Sequence, residues 1–265
     1  KHHRLTTPVV RTGKPAAPGT VNIELGTLSR ALRYAQDLGV LTQALPRIKR
    51  VAKKKTKKRY LRPHEVEALI EAARPSPDHP DRNEAGWLAI LLMANLGLRR
   101  GEAMTREWSD VVFDPESPAV HVTHKPRIQW FVKGGRRRMG RERVVPMTPV
   151  VREALLGVWL ARGQPKNGWI FPGGRHGKAG HPQKEIRGTF KTAAIRAGIG
   201  KDVHPHLLRH AWASRLAMDG VDRKSLQEMG GWEDGRMLDE VYAQVTSPHL
   251  HGIMARQGIG GSDKV

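Results

Sequence analysis

The sequence contains no cysteine, only three tyrosines and four phenylalanines, and few acidic residues for its number of basic ones. Without cysteine the chain forms no disulfide and offers no thiolate to a metal ion. No apolar run approaches the roughly 18 residues that a membrane-spanning helix needs. The longest run, from Leu88 to Leu98, is interrupted by Asn95 and Gly97 and is typical of a buried helix. No secretory signal is visible, and a cytoplasmic protein without a membrane segment is expected.

Positive charge is the outstanding feature of the composition. Lysine and arginine number 46 against 25 acidic residues, which gives a formal net charge of +21. Such an excess repels itself, and a polyanionic partner relieves the repulsion. Nucleic acid is the leading candidate for this partner, and a membrane surface is the alternative.

Residues 49–59 form a basic block in which eight of eleven residues are cationic and none is acidic. A block of like charges stays extended unless it is bound, so we interpret it as an interdomain linker that follows DNA phosphates. A solvated tail or a localisation-type patch is the alternative. The residues expected to contact DNA here are Lys53, Lys54, Lys55, Lys57, Lys58 and Arg59.

The spacing of apolar residues predicts a mainly helical fold with a small antiparallel sheet, an α+β class. Short β-rich runs between Ala119 and Thr148, with a turn at Gly134-Gly135, supply the sheet. A lead-in without regular structure is predicted over residues 1–20. The first predicted helix begins at Thr20 and ends at Gly39, and a second begins near Leu61 with its apolar face at Val66, Leu69, Ile70 and Ala73. A buried helix is predicted from Glu84 to Leu96, and a short helix that starts at Arg99 carries Glu102 and Trp108. Later helices are predicted from Thr148 to Ala161, from Pro182 to Ala197, around His206, and in two short segments before Tyr242.

Two separated motifs combine phosphate-binding and nucleophilic side chains. Arg99-Arg100-Gly101-Glu102 follows the buried helix, and His206-Leu207-Leu208-Arg209-His210 is followed by Gly230-Gly231-Trp232 and then Tyr242. Arginine offers a planar fork of donors for phosphate oxygens, histidine donates or moves a proton, and tyrosine can form a covalent intermediate. This constellation is suited to holding a phosphate beside a hydroxyl nucleophile.

In these motifs the chain resembles the catalytic domain of the tyrosine recombinases, the phage integrase family. The resemblance implies a catalytic domain over residues 60–245 and a C-terminal tail over residues 246–265. Residues 1–48 resemble the end of the helical domain that clamps DNA in this family, with a flexible lead-in; the rest of that domain is expected upstream of Lys1.

The resemblance also implies the roles of the individual residues. Arg99 and Arg209 are expected to clamp the phosphate, His206 to contact it, and Tyr242 to be the nucleophile. Glu102 and His210 are expected to orient their neighbours. Trp232 occupies a position where the family has histidine or tryptophan, and its indole N–H can only donate, so a hydrogen bond to the phosphate and packing are both expected of it.

Lys133 is the candidate for the family's catalytic lysine, because it precedes Val145-Pro146 on the predicted hairpin. It is expected to protonate the leaving 5′-oxygen as a general acid. The hairpin after Lys133 looks longer than is usual, and one of its arginines is an alternative. The arginines expected to bind DNA on this hairpin are Arg136, Arg137 and Arg138.

The activity that the resemblance implies is site-specific recombination or integration of double-stranded DNA through a 3′-phosphotyrosine. It implies a homotetramer that works through a Holliday junction, accessory DNA-bending proteins as possible partners, and a cytoplasmic, nucleoid-associated protein. No cofactor and no metal are expected, because the phosphotyrosine bond conserves the energy of the broken strand.

Three other functions remain open from the sequence: a type IB topoisomerase-like enzyme, a non-catalytic DNA-binding protein on the same fold, and a metal-dependent nuclease. The last would use His204, His206 and His210 as imidazole ligands. No cysteine is available, no acidic residue lies between His204 and His210, and Arg209 in the same site would repel the cation.

Overall fold

The structure, a computed structural model, describes residues 2–8, 13–52, 59–78, 83–125, 142–173, 180–183, 185–200 and 202–242. Its helices are α1 (His2–Thr6), α2 (Pro18–Asp37), α3 (Pro63–Ala73), α4 (Glu84–Leu96), α5 (Arg100–Met104), α6 (Pro149–Ala161), α7 (Arg187–Arg196), α8 (His206–Met218), α9 (Arg223–Gly230) and α10 (Arg236–Tyr242). Its strands are β1 (Val111–Val112), β2 (Ala119–Val122) and β3 (Arg143–Pro146). The prediction of a mainly helical fold with a small antiparallel sheet is confirmed.

The chain divides into two compact units, residues 1–58 and 59–265. In the first unit, the long helix α2 packs on α1, and the Arg4 side chain donates to Glu24 at 3.0 Å. The Asn22 side chain exchanges two hydrogen bonds with the backbone of Val51, at 2.8 and 2.7 Å. The lead-in predicted over residues 1–20 therefore differs from the structure, which places a short helix there because Arg4 finds a carboxylate partner on α2.

Helix α4 is the centre of the second unit. The residues from Leu88 to Ala94 are all buried, and α3, α6, α7 and α8 pack around them. The Asn83 side chain accepts a hydrogen bond from the Gly86 N–H at 2.8 Å and so caps the helix,. A helix that is apolar on all sides must lie in the core, and the predicted bounds of 84–96 agree with those observed.

The sheet has the order β1-β2-β3 and is antiparallel throughout. Val120 pairs with Val145, and both side chains enter the core. Strand β1 was not predicted, because two residues are too few to show an alternating pattern. The predicted run from Ile128 to Lys133 lies outside the described residues.

Helix α2 spans Pro18–Asp37, which is within two residues of the prediction at each end, whereas two other helix boundaries differ more. Trp108 lies in a 3-10 turn rather than in α5, because the Thr105 hydroxyl donates to the Gly101 carbonyl at 2.8 Å and the helix ends. Helix α7 begins at Arg187 rather than Pro182, since the Gln183 N–H is held by the Phe171 carbonyl at 2.7 Å. Among the described residues, no helix is long and apolar enough to cross a membrane.

Candidate active site

The site begins at the turn between α4 and α5. Gly97 ends α4 in the left-handed conformation with φ 61°, and Arg99 then precedes the first turn of α5. The Glu102 carboxylate reaches back to the Arg99 N–H at 2.8 Å and also pairs with the Arg99 guanidinium at 2.7 Å. This capping interaction fixes Arg99 beside Glu102, whichever tertiary contacts follow.

Arg209 enters the same site from α8, although 110 positions separate it from Arg99 in the sequence. Its side chain is 2% exposed. One terminal nitrogen donates to the Gly97 carbonyl at 2.6 Å and the other to the Gly230 carbonyl. Its Nε is buried and has no hydrogen-bond partner among the described residues. Burial, together with the charges of Arg99 and Arg143, lowers the pKa of Arg209 to about 9 against the opposing pull of Glu102, so the group stays cationic at neutral pH.

Glu102 is the carboxylate at the centre of these arginines. Burial alone raises its pKa, but the hydrogen bond and charge of Arg143 and the charges of Arg209 and Arg99 outweigh burial and lower the pKa to about 2. The side chain is 14% exposed and lies 3.9 Å from Arg209. Glu102 is therefore ionised throughout the neutral range and acts as an acceptor, not as a proton carrier.

Arg143 is a member of the site that the sequence did not single out. Its two terminal nitrogens donate to the two oxygens of Glu102 at 3.3 and 2.9 Å, and its Nε donates to the Met229 carbonyl at 2.7 Å. Arg143 stands two residues before the buried Val145 on β3, so the period of the strand places both on the same face. This position on the core-facing side of the strand was the feature from which Arg143 could have been predicted. It was missed because several other arginines lie close to it in the sequence.

His206 and His210 lie one turn apart at the start of α8. Their ring centroids are 4.8 Å apart, and the ring centroid of Tyr60 lies 6.4 Å from that of His210 in a T-shaped arrangement. Partial burial of the ring, with the nearby His210, Arg209, His204 and Arg99, lowers the pKa of His206 to about 4. The His206 imidazole is therefore neutral at pH 7 and has one N–H to donate.

His204 stacks near His206, with ring centroids 6.4 Å apart. In the part of the chain that the structure describes, no group of three or more histidine, aspartate or glutamate side chains is placed to hold a metal ion.

The Gly230-Gly231-Trp232 segment packs against Arg209 and forms one wall of the site. The Trp232 ring lies 4.2 Å from the Arg209 guanidinium carbon and 6.2 Å from the Trp212 ring, so it packs as a cation–π partner and a core residue,. A Cβ at Gly230 would lie 2.0 Å from the Trp232 ring. The position of the tryptophan ring at 232 therefore requires glycine at 230.

Tyr242 ends α10, the helix that packs against α8. Its ring packs with the cluster of Trp212, Trp232 and Leu238, but its hydroxyl donates to the Val221 carbonyl at 2.7 Å. Burial and the charge of Asp222 raise the pKa of Tyr242, and Arg223 opposes them. The structure thus places the tyrosine ring in the cluster that contains Trp232, while its hydroxyl is held by the Val221 carbonyl, next to Asp222 and Arg223.

Other predicted site residues lie outside the described part of the chain. These are Lys133, Lys53, Lys54, Lys55, Lys57, Lys58, Arg136, Arg137 and Arg138. Arg59 is described, and its side chain donates to Glu65 at 3.0 Å on the surface of the second unit.

Comparison with known proteins agrees with the geometry. The sequence model of the phage integrase family matches residues 59–249. The chain is 34% identical to the tyrosine recombinase XerD of Rhizobium meliloti over 118 residues, which are 43% of this chain and 37% of the relative. It is 27% identical to the integrase of Salmonella phage P22 over 252 residues, which are 92% of this chain and 58% of that protein.

Among solved structures, the Tn1549 transposon integrase in complex with a circular intermediate DNA shares the fold. The TM-score is 0.66 at 19% identity, and the match covers 92% of this chain and 80% of that one. The chain spans well under two thirds of the length of the XerD and P22 relatives. Because the family match covers most of the chain and includes every motif residue described above, the chain belongs to the phage integrase family of tyrosine recombinases.

Proposed function

We propose that this chain is the catalytic part of a site-specific DNA recombinase or integrase, which cleaves and rejoins strands through a 3′-phosphotyrosine. The observation that carries the proposal is the convergence of Arg99 and Arg209 on one carboxylate, Glu102, beside the helix that ends in Tyr242. Arg99 and Arg209 lie far apart in the sequence. Arginines without a shared role would remain solvated at separate surface positions and would not surround one buried carboxylate.

In the first step, the Tyr242 oxygen attacks the phosphorus of a DNA phosphodiester. The Tyr242 phenol releases its proton to solvent as the bond from phosphorus to the tyrosine oxygen forms. The bond to the 5′-oxygen breaks, and Lys133 gives that oxygen its proton. Arg99 and Arg209 stabilise the charge that gathers on the non-bridging oxygens in the transition state. The second step runs in reverse, with the 5′-hydroxyl of another strand as the attacking group, so neither ATP nor a metal is required.

Four further side chains assist this reaction. Neutral His206 donates its N–H to a phosphate oxygen, and Trp232 donates to the phosphate while its ring supports Arg209. His210 and Glu102 orient their neighbours. The hydrogen bond from the Tyr242 hydroxyl to the Val221 carbonyl has to break before the attack, because it directs the hydroxyl toward the backbone and not toward the phosphate.

DNA is the proposed partner, and the net charge of +21 supports it. The contacts to the duplex come from the basic block at residues 49–59, which links the end of a clamping domain (residues 1–48) to the catalytic domain, and from Arg136, Arg137 and Arg138. Each phosphate that the block neutralises adds about 0.9 to the slope of log affinity against log salt. We further propose a homotetramer on DNA, with a tail at residues 246–265, accessory DNA-bending partners, and a place at the nucleoid in the cytoplasm.

The test uses nicked DNA duplexes of randomised sequence, which trap a covalent complex because the short strand beyond the cut diffuses away. The protein is incubated with them in a chelator and run on a denaturing gel. An adduct formed by the wild type and by Tyr34→Phe, but absent with Tyr242→Phe, supports the proposal. Tyr34 is a matched control because it is an exposed tyrosine on α2, and sequencing of the trapped DNA identifies the preferred site.

Other outcomes favour the alternatives. Relaxation of supercoiled DNA without preference for any trapped sequence favours a type IB topoisomerase-like enzyme. Cleavage that the chelator abolishes favours a metal-dependent nuclease. Binding to duplex DNA without any adduct, even from a longer chain that includes upstream residues, favours a DNA-binding protein without catalysis.

A further inference from the structure

Arg143 joins three elements of the catalytic unit. It begins β3, and its side chain is 5% exposed. Its terminal nitrogens contact Glu102 on α5, and its Nε contacts the Met229 carbonyl on α9. A guanidinium in this position cannot reach a DNA phosphate without giving up these partners.

The hydrogen bonds of Glu102 show what Arg143 does there. An ionised carboxylate has about four acceptor positions, and four donors occupy them. The Arg99 backbone and side chain supply two at 2.8 and 2.7 Å, and Arg143 supplies the other two at 2.9 and 3.3 Å. Arg209 is left at 3.9 Å, beyond hydrogen-bond distance. Arg143 therefore saturates the carboxylate that would otherwise attract Arg209.

The end of α9 is the second place where Arg143 acts. Three successive carbonyls there accept from the three arginines of the site. Met229 accepts from Arg143, Gly230 from Arg209, and Gly231 from Arg99 in a longer contact of 3.5 Å. The C-terminal end of a helix carries partial negative charge, so it attracts all three guanidinium groups.

The approach of Arg143 to this helix end depends on Gly231. A Cβ at Gly231 would lie 2.8 Å from a terminal nitrogen of Arg143. The second glycine of the Gly-Gly-Trp segment thus permits the contact, as the first glycine makes room for Trp232.

We propose that Arg143 is a positioning residue for the phosphate clamp. It holds Glu102 and the end of α9 in place, and it keeps the guanidinium of Arg209 from closing onto the carboxylate. This inference rests on the proposed function, in which Arg99 and Arg209 bind the scissile phosphate. Without Arg143, Glu102 attracts Arg209 in addition to its existing partner Arg99, and the Arg209 guanidinium moves away from the DNA.

The experiment measures the single-turnover rate of adduct formation on the nicked duplex that the wild type selects, and the dissociation constant for the same duplex without the nick. The variants are Arg143→Met and Arg143→Lys. The control is Arg152→Met, because Arg152 is a half-buried arginine on α6 that, within the described part of the chain, donates to the Phe113 carbonyl alone, at 3.3 and 3.1 Å. Tryptophan fluorescence confirms that each variant is folded.

Arg143→Met is expected to slow the rate about 100-fold, the effect of a small misplacement of catalytic groups, while the dissociation constant changes less than about threefold. Arg143→Lys keeps the charge but reaches fewer partners, so its rate is expected to lie between that of the wild type and that of Arg143→Met. Arg152→Met is expected to keep both values within about threefold of wild type.

Two results would overturn the inference. One is an Arg143→Met protein that forms adduct at the wild-type rate. The other is that the adduct rate and the DNA affinity of Arg143→Met fall by the same factor, and that Arg143→Lys is no faster than Arg143→Met. That pattern would mean that Arg143 only maintains the fold. If Arg143→Met does not fold, the lysine variant alone decides, through the split between rate and affinity. A wild type that forms no adduct refutes the proposed function itself, a result distinct from these.

Discussion

Glu102→Gln is the substitution whose effect follows most directly from the structure. Glutamine keeps the size of the side chain but removes the negative charge that faces Arg99, Arg143 and Arg209. Three buried or half-buried guanidinium groups would then share one neutral amide oxygen and the backbone carbonyls, with no negative charge among them. Removal of one partner from a buried ion pair leaves uncompensated charge, which is costly to stability.

The size of the effect follows from the pKa of the carboxyl group. A pKa that falls from the usual 4.5 to about 2 on folding contributes about 3 kcal/mol at neutral pH, at about 1.4 kcal/mol per pKa unit. The folded-state pKa is the lower one, so this stabilisation is fully present above pH 4.5 and is lost as the pH falls toward 2. Glu102→Gln should therefore lower the free energy of unfolding by about 3 kcal/mol at pH 7, and by less as the pH falls below 4.5.

Urea unfolding followed by tryptophan fluorescence is a suitable assay. All seven tryptophans lie after residue 59, so the signal reports on the second unit alone. Glu71→Gln is the control, because Glu71 pairs with Arg74 at an exposed site and such pairs contribute at most about 1 kcal/mol. A Glu102→Gln protein within 1 kcal/mol of wild type at pH 7, or a difference that does not shrink in acid, would refute the reasoning.

Two further predictions concern Gly97 and His206. Gly97→Ala should destabilise the second unit by about 1–3 kcal/mol, because its Cβ would lie 2.2 Å from the Trp212 ring and φ is 61°,. The control Gly157→Ala, in open space on α6, should instead stabilise the unit by about 0.5–1 kcal/mol,. Equal changes in the free energy of urea unfolding for the two variants would contradict this prediction. The ring of His206 should titrate near pH 4 in the free protein and higher with DNA bound, because a phosphate favours the imidazolium,. An NMR titration with His206→Asn for assignment measures both values, and a pKa that falls on DNA binding would count against phosphate contact.

The sequence was sufficient to predict the elements that depend on local or strongly periodic signals. Helix α4 is apolar on all sides and has Asn83 before it and Gly97 after it, so its bounds were predictable. The Arg99–Glu102 pair was predictable as well, because a separation of three residues across a helix start brings the two groups together without help from the fold.

Features that depend on tertiary packing were not predictable. Arg143 was one of several arginines near one hairpin, and only its burial against Glu102 distinguishes it. The Val221 carbonyl that holds the Tyr242 hydroxyl leaves no trace in the sequence, since any residue supplies such an acceptor. The stacking of Trp232 on Arg209 depends on how α9 and α8 meet, which residue spacing does not determine.

The central claim is that Tyr242 becomes covalently attached to DNA, and mass spectrometry of the trapped adduct tests it most directly. After nuclease and trypsin digestion, Tyr242 lies in the peptide of residues 237–256, which contains no other tyrosine. If Tyr242 is the nucleophile, this peptide carries a nucleotide linked through its 3′-phosphate to the Tyr242 oxygen. A nucleotide found on any other residue, or an adduct that survives Tyr242→Phe, would contradict the account.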